Sequence, residues 1–413
     1  MRGVGSHLAV WLLLACTVGW AEPIEVSPSG SIPTIEAALT LAQDGDTILI
    51  HPGVYRENGL KIERPVTLRG VGDPVVDGEF KGTILSVSAP DVTIEGLTLI
   101  NVGRSYTSEF AAIYLSHSDR FTIRNNILEK AYFGLHVERS KSGLIEGNHI
   151  SGEALEEADA GNGVHLWRCS GISIRDNVLQ GLRDGIYLEF VDDSEVSANT
   201  SSDNLRYGLH FMFSDHNDYT NNTFKNNGAG VAVMFSKFIE MRNNRFSHNW
   251  GASSYGLLLK EIYDAEVIDN EFEQNSTGIQ ADGSTRINYL GNRFLRNGWA
   301  VKISGACYTN AFHNNSFEHN TFDLSYHGQL HDNSFDGNYW SDYTGYDLDR
   351  DGVGDVPYRP VKLFSYIVNR TPETIILLRS LFVDLINFSE KVSPVFTPDN
   401  LLDNTPLMKG PVS

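Results

Sequence analysis

A sequence repeat of about 22 residues limits what this chain can fold into more than any other feature does. In one phase of the repeat, a glycine precedes an apolar residue, a variable residue and a second apolar residue. In the other phase, an asparagine precedes an apolar residue by two positions, and this residue is mostly phenylalanine in the later repeats. The first phase begins at Gly134, Gly163, Gly185, Gly208, Gly230, Gly256 and Gly278. The second phase begins at Asn126, Asn148, Asn177, Asn199, Asn222, Asn244, Asn270, Asn292, Asn315 and Asn333, although Ser201 replaces the apolar residue after Asn199.

The period predicts an all-β fold, a right-handed parallel β-helix. Each repeat holds several short apolar alternations and no helical pattern, and a solenoid of this period stacks coils of short strands on one another. Parallel connections are right-handed in nearly all proteins. The asparagines would stack as a ladder of side-chain amides at one corner, and the phenylalanines would stack inside. We therefore expect the β-helix to occupy residues 22–340.

Both ends of such a solenoid need a cover, because an open strand edge invites aggregation. Residues 32–43 predict a capping helix, since apolar residues recur there at helical spacing. At the other end the repeat is lost after Asn338. The rest of the chain divides into an acidic loop, residues 341–360, and a C-terminal helix with a tail, residues 361–413.

Charge excludes one broad class of partner. The 413 residues include 52 acidic and 32 basic side chains, so the formal net charge is −20. Such a chain repels a phosphate backbone. We therefore expect no nucleic-acid partner.

Residues 1–21 predict an export signal. Arg2 precedes a short apolar run, and small residues lead to a cleavage site near Ala21. The alternative is lipidation of Cys16, and both interpretations place the mature chain outside the cytoplasm. The two remaining cysteines, Cys169 and Cys307, stand several repeats apart, so we expect them to be unpaired.

Four stretches of the sequence resemble the NosD family. They are PTIEAAL at residues 33–39, GDTI at 45–48, PGVY at 52–55 and NYWSDY at 338–343. The resemblance covers essentially the whole mature chain. It implies a non-enzymatic periplasmic protein that carries copper transiently for the assembly of nitrous oxide reductase. It also implies partnership with the permease and ATPase of an ABC transporter at the inner membrane, and with a lipoprotein copper chaperone.

One outward-facing column of the predicted β-helix carries histidines and methionines. In the glycine phase the two apolar residues point inward, so the variable residue and the residue after the second apolar one share the outer face. This places His210, Met212 and Met234 within reach of one ion, and thioether sulfur selects Cu(I). His136 and His165 form a second candidate copper pair. The alternative is that exposed strand positions simply accept polar residues and that methionine fills an apolar patch facing a partner.

The stretch after the last coil has the spacing of the first part of a calcium loop. Gly352 stands at the sixth position, where the loop turns sharply, and Tyr358 stands where a glutamate usually completes the site. The alternative is an acidic turn that binds no ion. The candidate calcium ligands are Asp347, Asp349, Asp351, Asp355 and the backbone of Val353.

Beyond the loop, Pro372 at a first helical position predicts the start of a helix. The apolar residues that follow form a surface too broad for an isolated soluble helix and too short to span a membrane. The resemblance makes the transporter permease the first candidate partner, and packing onto the end of the β-helix is the alternative. The candidate docking residues are Ile375, Leu378, Leu381, Phe382 and Leu385.

A competing function follows from the fold class, because parallel β-helices often bind or cleave polysaccharides on an outer wall. Such a site would use Glu189, Asp192, Asp193 and Arg206. The sequence contains neither a nucleophile elbow nor a phosphate-binding loop motif. The resemblance to the NosD family then favours a metal carrier over an enzyme.

Overall fold

The fold is a parallel β-helix, as the repeat predicts. The computed structural model describes residues 22–392 and 401–410. Three sheets of 14, 13 and 12 strands run along the solenoid, and their strands pair in parallel. Successive coils add strands to the three sheets in turn, so strands that are adjacent in a sheet are about one repeat apart in sequence.

The strands are short, and each belongs to one of the three sheets. Sheet A consists of Ile24–Val26, Thr47–Ile50, Thr67–Gly70, Thr93–Glu95, Thr122–Arg124, Leu144–Glu146, Ser173–Arg175, Glu195–Ser197, Asp218–Thr220, Glu240–Arg242, Tyr263–Ile268, Thr285–Leu290, Ala311–His313 and Ser334–Asp336. Sheet B consists of Val54–Tyr55, Val75–Asp77, Thr98–Ile100, Ile127–Glu129, His149–Ser151, Val178–Gln180, Thr200–Ser202, Thr223–Lys225, Arg245–Ser247, Glu271–Glu273, Arg293–Leu295, Ser316–Glu318 and Tyr339–Trp340. Sheet C consists of Leu60–Ile62, Leu85–Val87, Ala111–Ser116, Phe133–Glu138, Val164–Trp167, Ile186–Glu189, Tyr207–Met212, Ala229–Met234, Leu257–Lys260, Thr277–Asp282, Trp299–Tyr308 and Phe322–His331.

The core is an apolar column enclosed by the three sheets. On sheet B the predicted aromatic stack is present inside the solenoid. The ring centroids of Phe246 and Phe272 are 4.6 Å apart, and those of Phe317 and Trp340 are 4.1 Å apart. Each such pair contributes about 0.5–1.5 kcal/mol beyond the burial of its surface. The aromatic stack therefore helps to hold each coil on the next.

The predicted asparagine ladder is also present, at the corner that precedes sheet B. The amide oxygen of Asn244 accepts hydrogen bonds from the backbone and side-chain nitrogens of Asn222, at 2.9 and 3.0 Å. The amide nitrogen of Asn244 donates to the carbonyl of Tyr219 at 2.9 Å. A second ladder, which the sequence analysis did not identify, runs from Asn204 to Asn320 at another corner. The two ladders satisfy backbone groups that the tight corners would otherwise leave buried and unpaired.

The last step of the first ladder corrects the sequence analysis. The residue that follows Asn315 in the ladder is Asn338, whose amide oxygen accepts from the backbone of Asn315 at 3.0 Å. Asn333 belongs to a different corner, where it accepts from the backbone of Asn310 at 2.9 Å. Asn333 follows Asn315 too closely in the sequence to complete a coil.

Helix α1, Ile35–Leu41, covers the N-terminal end of the solenoid, as predicted. Thr34 begins it, because its hydroxyl accepts a hydrogen bond from the backbone of Ala37 at 3.2 Å. Ile35 and Ala38 are fully buried against the first coils. The helix thus removes the first open strand edges from solvent.

The C-terminal segment forms short helices instead of the single helix predicted from Pro372. Because proline lacks a backbone N–H and disfavours helical conformation in the residue before it, the first helix ends there and a new turn begins. These helices pack on Trp299 and Phe322 of sheet C. The segments are α2, Leu363–Arg370, a 3₁₀ helix, Pro372–Leu377, and α3, Leu381–Val392.

Residues 401–410 return to the last coil and close its end. The carboxylate of Asp403 takes the place of the next asparagine in the first ladder. It accepts hydrogen bonds from the backbone of Asn338 at 2.9 Å and from the indole nitrogen of Trp340 at 2.8 Å. Asp403 and Leu401 are both fully buried. Part of the tail therefore belongs to the solenoid.

The two cysteines agree with the prediction. Cys169 and Cys307 are buried and free. The predicted export signal, including Cys16, lies outside the described residues.

Replacing Asp403 with alanine should lower the free energy of unfolding by about 1–3 kcal/mol, because buried donors on Asn338 and Trp340 lose their acceptor. Urea unfolding of the full chain measures the change. Lys409→Ala, an exposed substitution in the same tail, should stay within about 0.5 kcal/mol of the unmodified chain. If the two variants are equally stable, Asp403 does not cap the ladder.

Candidate functional site

The histidines lie in one outer column of sheet C, in the predicted register. The register is strongly specified, because a shift of one residue would move every inward apolar side chain to the surface. We call the residues of this column the ring column. From one coil to the next it reads Tyr114, His136, His165, Tyr187 and His210.

The side chains of the ring column stack on one another. The imidazoles of His136 and His165 are parallel within 6°, and their centroids are 4.6 Å apart. Tyr187 fills the space between His165 and His210, with centroid distances of 4.8 and 4.9 Å. The three histidines are therefore linked by continuous aromatic contacts.

The histidines are buried, which corrects the expectation of a solvent-facing column. His136, His165 and His210 are only 3, 7 and 5% exposed. Phe133 stacks on the first two, at 5.7 Å from each, and Tyr207 lies 4.8 Å from the third. Each of these covering rings stands three residues before a histidine of its own strand. The strand pattern predicts only which face of the sheet a side chain points to. Its exposure to solvent depends on whether large neighbouring side chains, such as Phe133 and Tyr207, pack over it.

Burial keeps the imidazoles neutral. Desolvation lowers the pKa of His165 to about 3 and the pKa of His210 to about 4. It also lowers the pKa of His136. Among the residues that the structure describes, neither ring nitrogen of His165 or His210 has a hydrogen-bond partner. A buried polar atom without a partner lowers the stability of the fold by about 1–3 kcal/mol. Because neutral imidazole is the form that binds metal ions, these nitrogens are suited to binding a metal ion.

Two methionines lie beside the ring column, as predicted. Met212 and Met234 stand directly opposite each other on neighbouring strands, where Cβ atoms are ~4.5–5.5 Å apart. His210 precedes Met212 by two residues on the same face, and the hydroxyl of Tyr187 lies 3.8 Å from the sulfur of Met212. Both methionines are half-buried. One imidazole and two thioethers are a soft donor set of the kind that selects Cu(I).

A carboxylate lies beside the first two histidines, and the sequence analysis did not identify it. An oxygen of Glu109 is 3.4 Å from Nδ1 of His136. One potential ligand atom each of Glu109, His136 and His165 lie within 4.8 Å of one another. Glu109 precedes the strand Ala111–Ser116 in a segment that lies outside the repeat. No periodic signal in the sequence could therefore have marked it.

The acidic loop gathers three of its predicted calcium ligands. Carboxylate oxygens of Asp347, Asp349 and Asp351 lie within 4.8 Å of one another. The negative charge of Asp351 raises the pKa of Asp349. Gly352 turns the chain with a φ of 90°, a conformation that favours glycine. The three carboxylates form a compact group of hard oxygen donors, which suits calcium.

The other two predicted calcium ligands, Asp355 and Val353, form contacts within the protein. A carboxylate oxygen of Asp355 accepts a hydrogen bond from the backbone of Leu348 at 2.7 Å. Val353 forms an antiparallel bridge with Leu407 of the C-terminal tail. The acidic loop is therefore joined to the tail that closes the solenoid.

The predicted docking residues fall on two sides of the C-terminal helices. Leu378 packs against the buried cluster that contains Trp299 and Phe322, so it holds the segment on the solenoid. Within the described part of the chain, no helix is long and apolar enough to cross a bilayer. The other four residues are 49–73% exposed and form what we call the outer apolar face: Ile375, Leu381, Phe382 and Leu385.

The residues of the competing polysaccharide site are not brought together. Arg206 precedes the strand Tyr207–Met212, whereas Asp192 and Asp193 follow the strand Ile186–Glu189 on the neighbouring coil. The basic and acidic groups thus lie at opposite ends of two neighbouring strands of sheet C. A strand of six residues spans about 20 Å, which is too far for one acid–base site.

Comparison with known proteins identifies both the fold and the family. The catalytic unit of a thermostable α-1,3-glucanase from Streptomyces thermodiastaticus aligns with 78% of this chain and 70% of its own, with a TM-score of 0.58 and 16% identity. At that identity the likeness shows the β-helix fold alone.

Sequence relatives are more informative. A model of the NosD family, described as a periplasmic copper-binding protein, matches residues 152–345. The probable ABC transporter binding protein NosD of Stutzerimonas stutzeri is 28% identical over 399 residues, which cover 92% of this chain and 91% of that protein. The protein of the same description from Pseudomonas aeruginosa is 30% identical over 429 residues, covering 99% of this chain and 96% of the relative. With such similarity along nearly its whole length, this chain belongs to the NosD family.

Proposed function

We propose that this chain is an exported periplasmic copper carrier that delivers copper for the assembly of nitrous oxide reductase. In this proposal it works with the permease and ATPase of an ABC transporter at the inner membrane and receives copper from a lipoprotein chaperone. The family description as periplasmic and copper-binding supports the compartment and the cargo. The relatives described as ABC transporter binding proteins support the transporter partnership.

The observation that carries the proposal is the group of buried imidazoles and half-buried thioethers on one wall of a rigid solenoid, where the ring nitrogens of His165 and His210 have no hydrogen-bond partner among the described residues. Copper in transit needs donors that bind it without a proton to displace, and buried imidazole and thioether both meet that need. His210, Met212 and Met234 are the ligands we assign to Cu(I), and His136 and His165 are a second pair of copper ligands. The half-buried methionines leave one side of the Cu(I) ligands open to a partner that gives or takes the ion.

The same site supports a non-catalytic role. The ring column contains side chains that can bind a metal ion. The acidic and basic residues that a polysaccharide enzyme would use lie at opposite ends of neighbouring strands in sheet C. Structural likeness to a glucanase extends to the fold alone. We therefore assign binding and transfer of the ion, without bond-breaking chemistry, to this protein.

Replacing Met212 and Met234 together with leucine should lower Cu(I) affinity at least tenfold, because leucine preserves the volume of methionine and removes the soft sulfur. Competition with a Cu(I) chelator measures the affinity of the purified full chain. Met408→Leu, which changes a thioether far from the ring column, is the matched control and should bind as the unmodified chain does. Unchanged affinity of the double variant would remove the thioether site.

We also propose that the acidic loop binds calcium weakly. The three gathered carboxylates support this, and calcium sites of extracytoplasmic proteins are often of millimolar affinity. Because the loop bridges to the C-terminal tail, bound calcium would also stabilise the closed end of the solenoid.

Millimolar calcium should raise the melting temperature of the full chain, and Asp349→Asn should abolish the rise, because it removes a charge from the carboxylate group. Calorimetric titration with calcium should show the same loss of binding. Asp332→Asn, an exposed acid in the preceding coil, is the control and should keep the response. Absence of both heat and thermal stabilisation in the unmodified chain would leave the loop as a turn.

We propose further that the outer apolar face docks on the transporter permease. Its residues point away from the packed side of the C-terminal helices, and large exposed apolar patches mark interaction sites. The permease is the partner that the relatives' descriptions support.

Leu381→Ser and Leu385→Ser together should abolish co-purification with the permease while leaving the melting temperature within about a degree, since both side chains are exposed. Leu378→Ser is the contrasting variant. It should lower the free energy of unfolding by about 1–2 kcal/mol, because its side chain packs on the solenoid. Retained permease binding by the exposed double variant would contradict this docking assignment.

A further inference from the structure

The two ends of the ring column differ in the charges around them. Near His136, carboxylates dominate: Glu109 is 3.4 Å from Nδ1 and Glu138 is 3.5 Å from Nε2. Near His210, the charges that act on the imidazole are the guanidinium groups of Arg206 and Arg183, and Arg183 acts on His165 as well. Negative charge stabilises a more highly charged cation, and positive charge opposes it. The end of the column at His136, which we call the acidic end, is therefore suited to a divalent ion.

The group at the acidic end is built into the fold. His165 is 93% buried, and no protein atom among the described residues satisfies either of its ring nitrogens. His136 is held parallel to it by stacking. Glu109 is positioned by the backbone, because the next residue, Phe110, accepts a hydrogen bond from the backbone of Phe133 at 3.1 Å. Three donors from two neighbouring coils and one loop thus converge at fixed places.

The potential ligand atoms at the acidic end also differ in kind from those beside His210. Two imidazole nitrogens and one carboxylate oxygen are borderline and hard donors, which favour divalent ions over Cu(I). Among divalent first-row ions, such sites bind Cu(II) most tightly. Cu(I) instead prefers the sulfur atoms of Met212 and Met234.

We propose that Glu109, His136 and His165 form a second metal site that binds Cu(II), separate from the Cu(I) ligands His210, Met212 and Met234. The proposal rests on the proposed function only in that the cargo is copper. Glu109 is the new ligand, and it determines which oxidation state the histidine pair accepts.

The three side chains must rotate to hold an ion. Bonds of ~2.0 Å keep two ligands of one ion no more than ~4 Å apart, and the three donor atoms here lie within 4.8 Å of one another. Because nitrogen lone pairs lie in the ring planes, His136 and His165 must turn out of their parallel stack to point at one ion, and the Glu109 side chain, which is 55% exposed, can rotate to join them. An ion from solvent would reach the exposed carboxylate of Glu109 first, because the histidines behind it are shielded from solvent.

The test is Glu109→Gln in the tag-free full chain. We expect this variant to fold normally because the side chain is exposed, and to bind Cu(II) at least tenfold more weakly in competition with a chelator. Electron paramagnetic resonance of the Cu(II)-loaded unmodified chain should show coupling to two imidazole nitrogens, and His136→Gln should reduce this to one. Glu153→Gln is the matched control, since Glu153 pairs with Arg104 at 3.7 Å and should not affect the site.

The outcomes separate this inference from the proposed function. Equal Cu(II) affinity of Glu109→Gln and the unmodified chain, or a spectrum without nitrogen coupling, would overturn the second site even if Cu(I) still binds at the methionines. Loss of Cu(I) affinity in Glu109→Gln equal to the loss of Cu(II) would also overturn it, because the two sites would then not be separate. If Cu(II) binds as expected but the Met212 and Met234 double variant keeps its Cu(I) affinity, the thioether site falls and the second site stands.

Discussion

The structure depends on the register in which each coil rests on the next. Backbone hydrogen bonds between parallel strands hold that register, and two asparagine ladders reinforce it at the corners by giving buried backbone groups a side-chain partner. Slipping any strand by one residue would expose its apolar side chains and bury its polar ones. Both candidate copper sites depend on this constraint, because residues that are far apart in sequence become neighbours only when coils are stacked without a slip.

The rigid stack gives the ring column chemical properties that a flexible loop could not supply. Stacked rings shield His165 and His210 from water, so their pKa values fall to about 3 and about 4. Ring nitrogens that have no partner in the described part of the chain are held in place at a cost in stability that the long core offsets. Metal binding is the chemistry that makes use of such atoms. In our proposal, the carboxylate of Glu109 at one end and the thioethers at the other suit different ions.

The C-terminal region serves the solenoid and its surroundings at once. Asp403 closes the first asparagine ladder, and Leu378 fastens the helices to sheet C. Residues such as Leu381 and Leu385 remain exposed on the other side. Because the anchoring and exposed residues are different, the docking surface that we propose would not weaken the closed end. The acidic loop is joined to the C-terminal tail through the bridge between Val353 and Leu407.

The sequence by itself determined the periodic part of this protein: the β-helix, the aromatic stack, the first asparagine ladder and the column that places His210 beside Met212 and Met234. Stacking converts a fixed spacing in sequence directly into neighbourhood in space, so these features could be predicted. Only the tertiary structure decided that the histidines are buried, that Glu109 joins His136 and His165, and that Asp403 closes the last coil. Those contacts involve large neighbouring rings, a loop and a returning tail that follow no repeat, and their positions depend on how the whole chain packs.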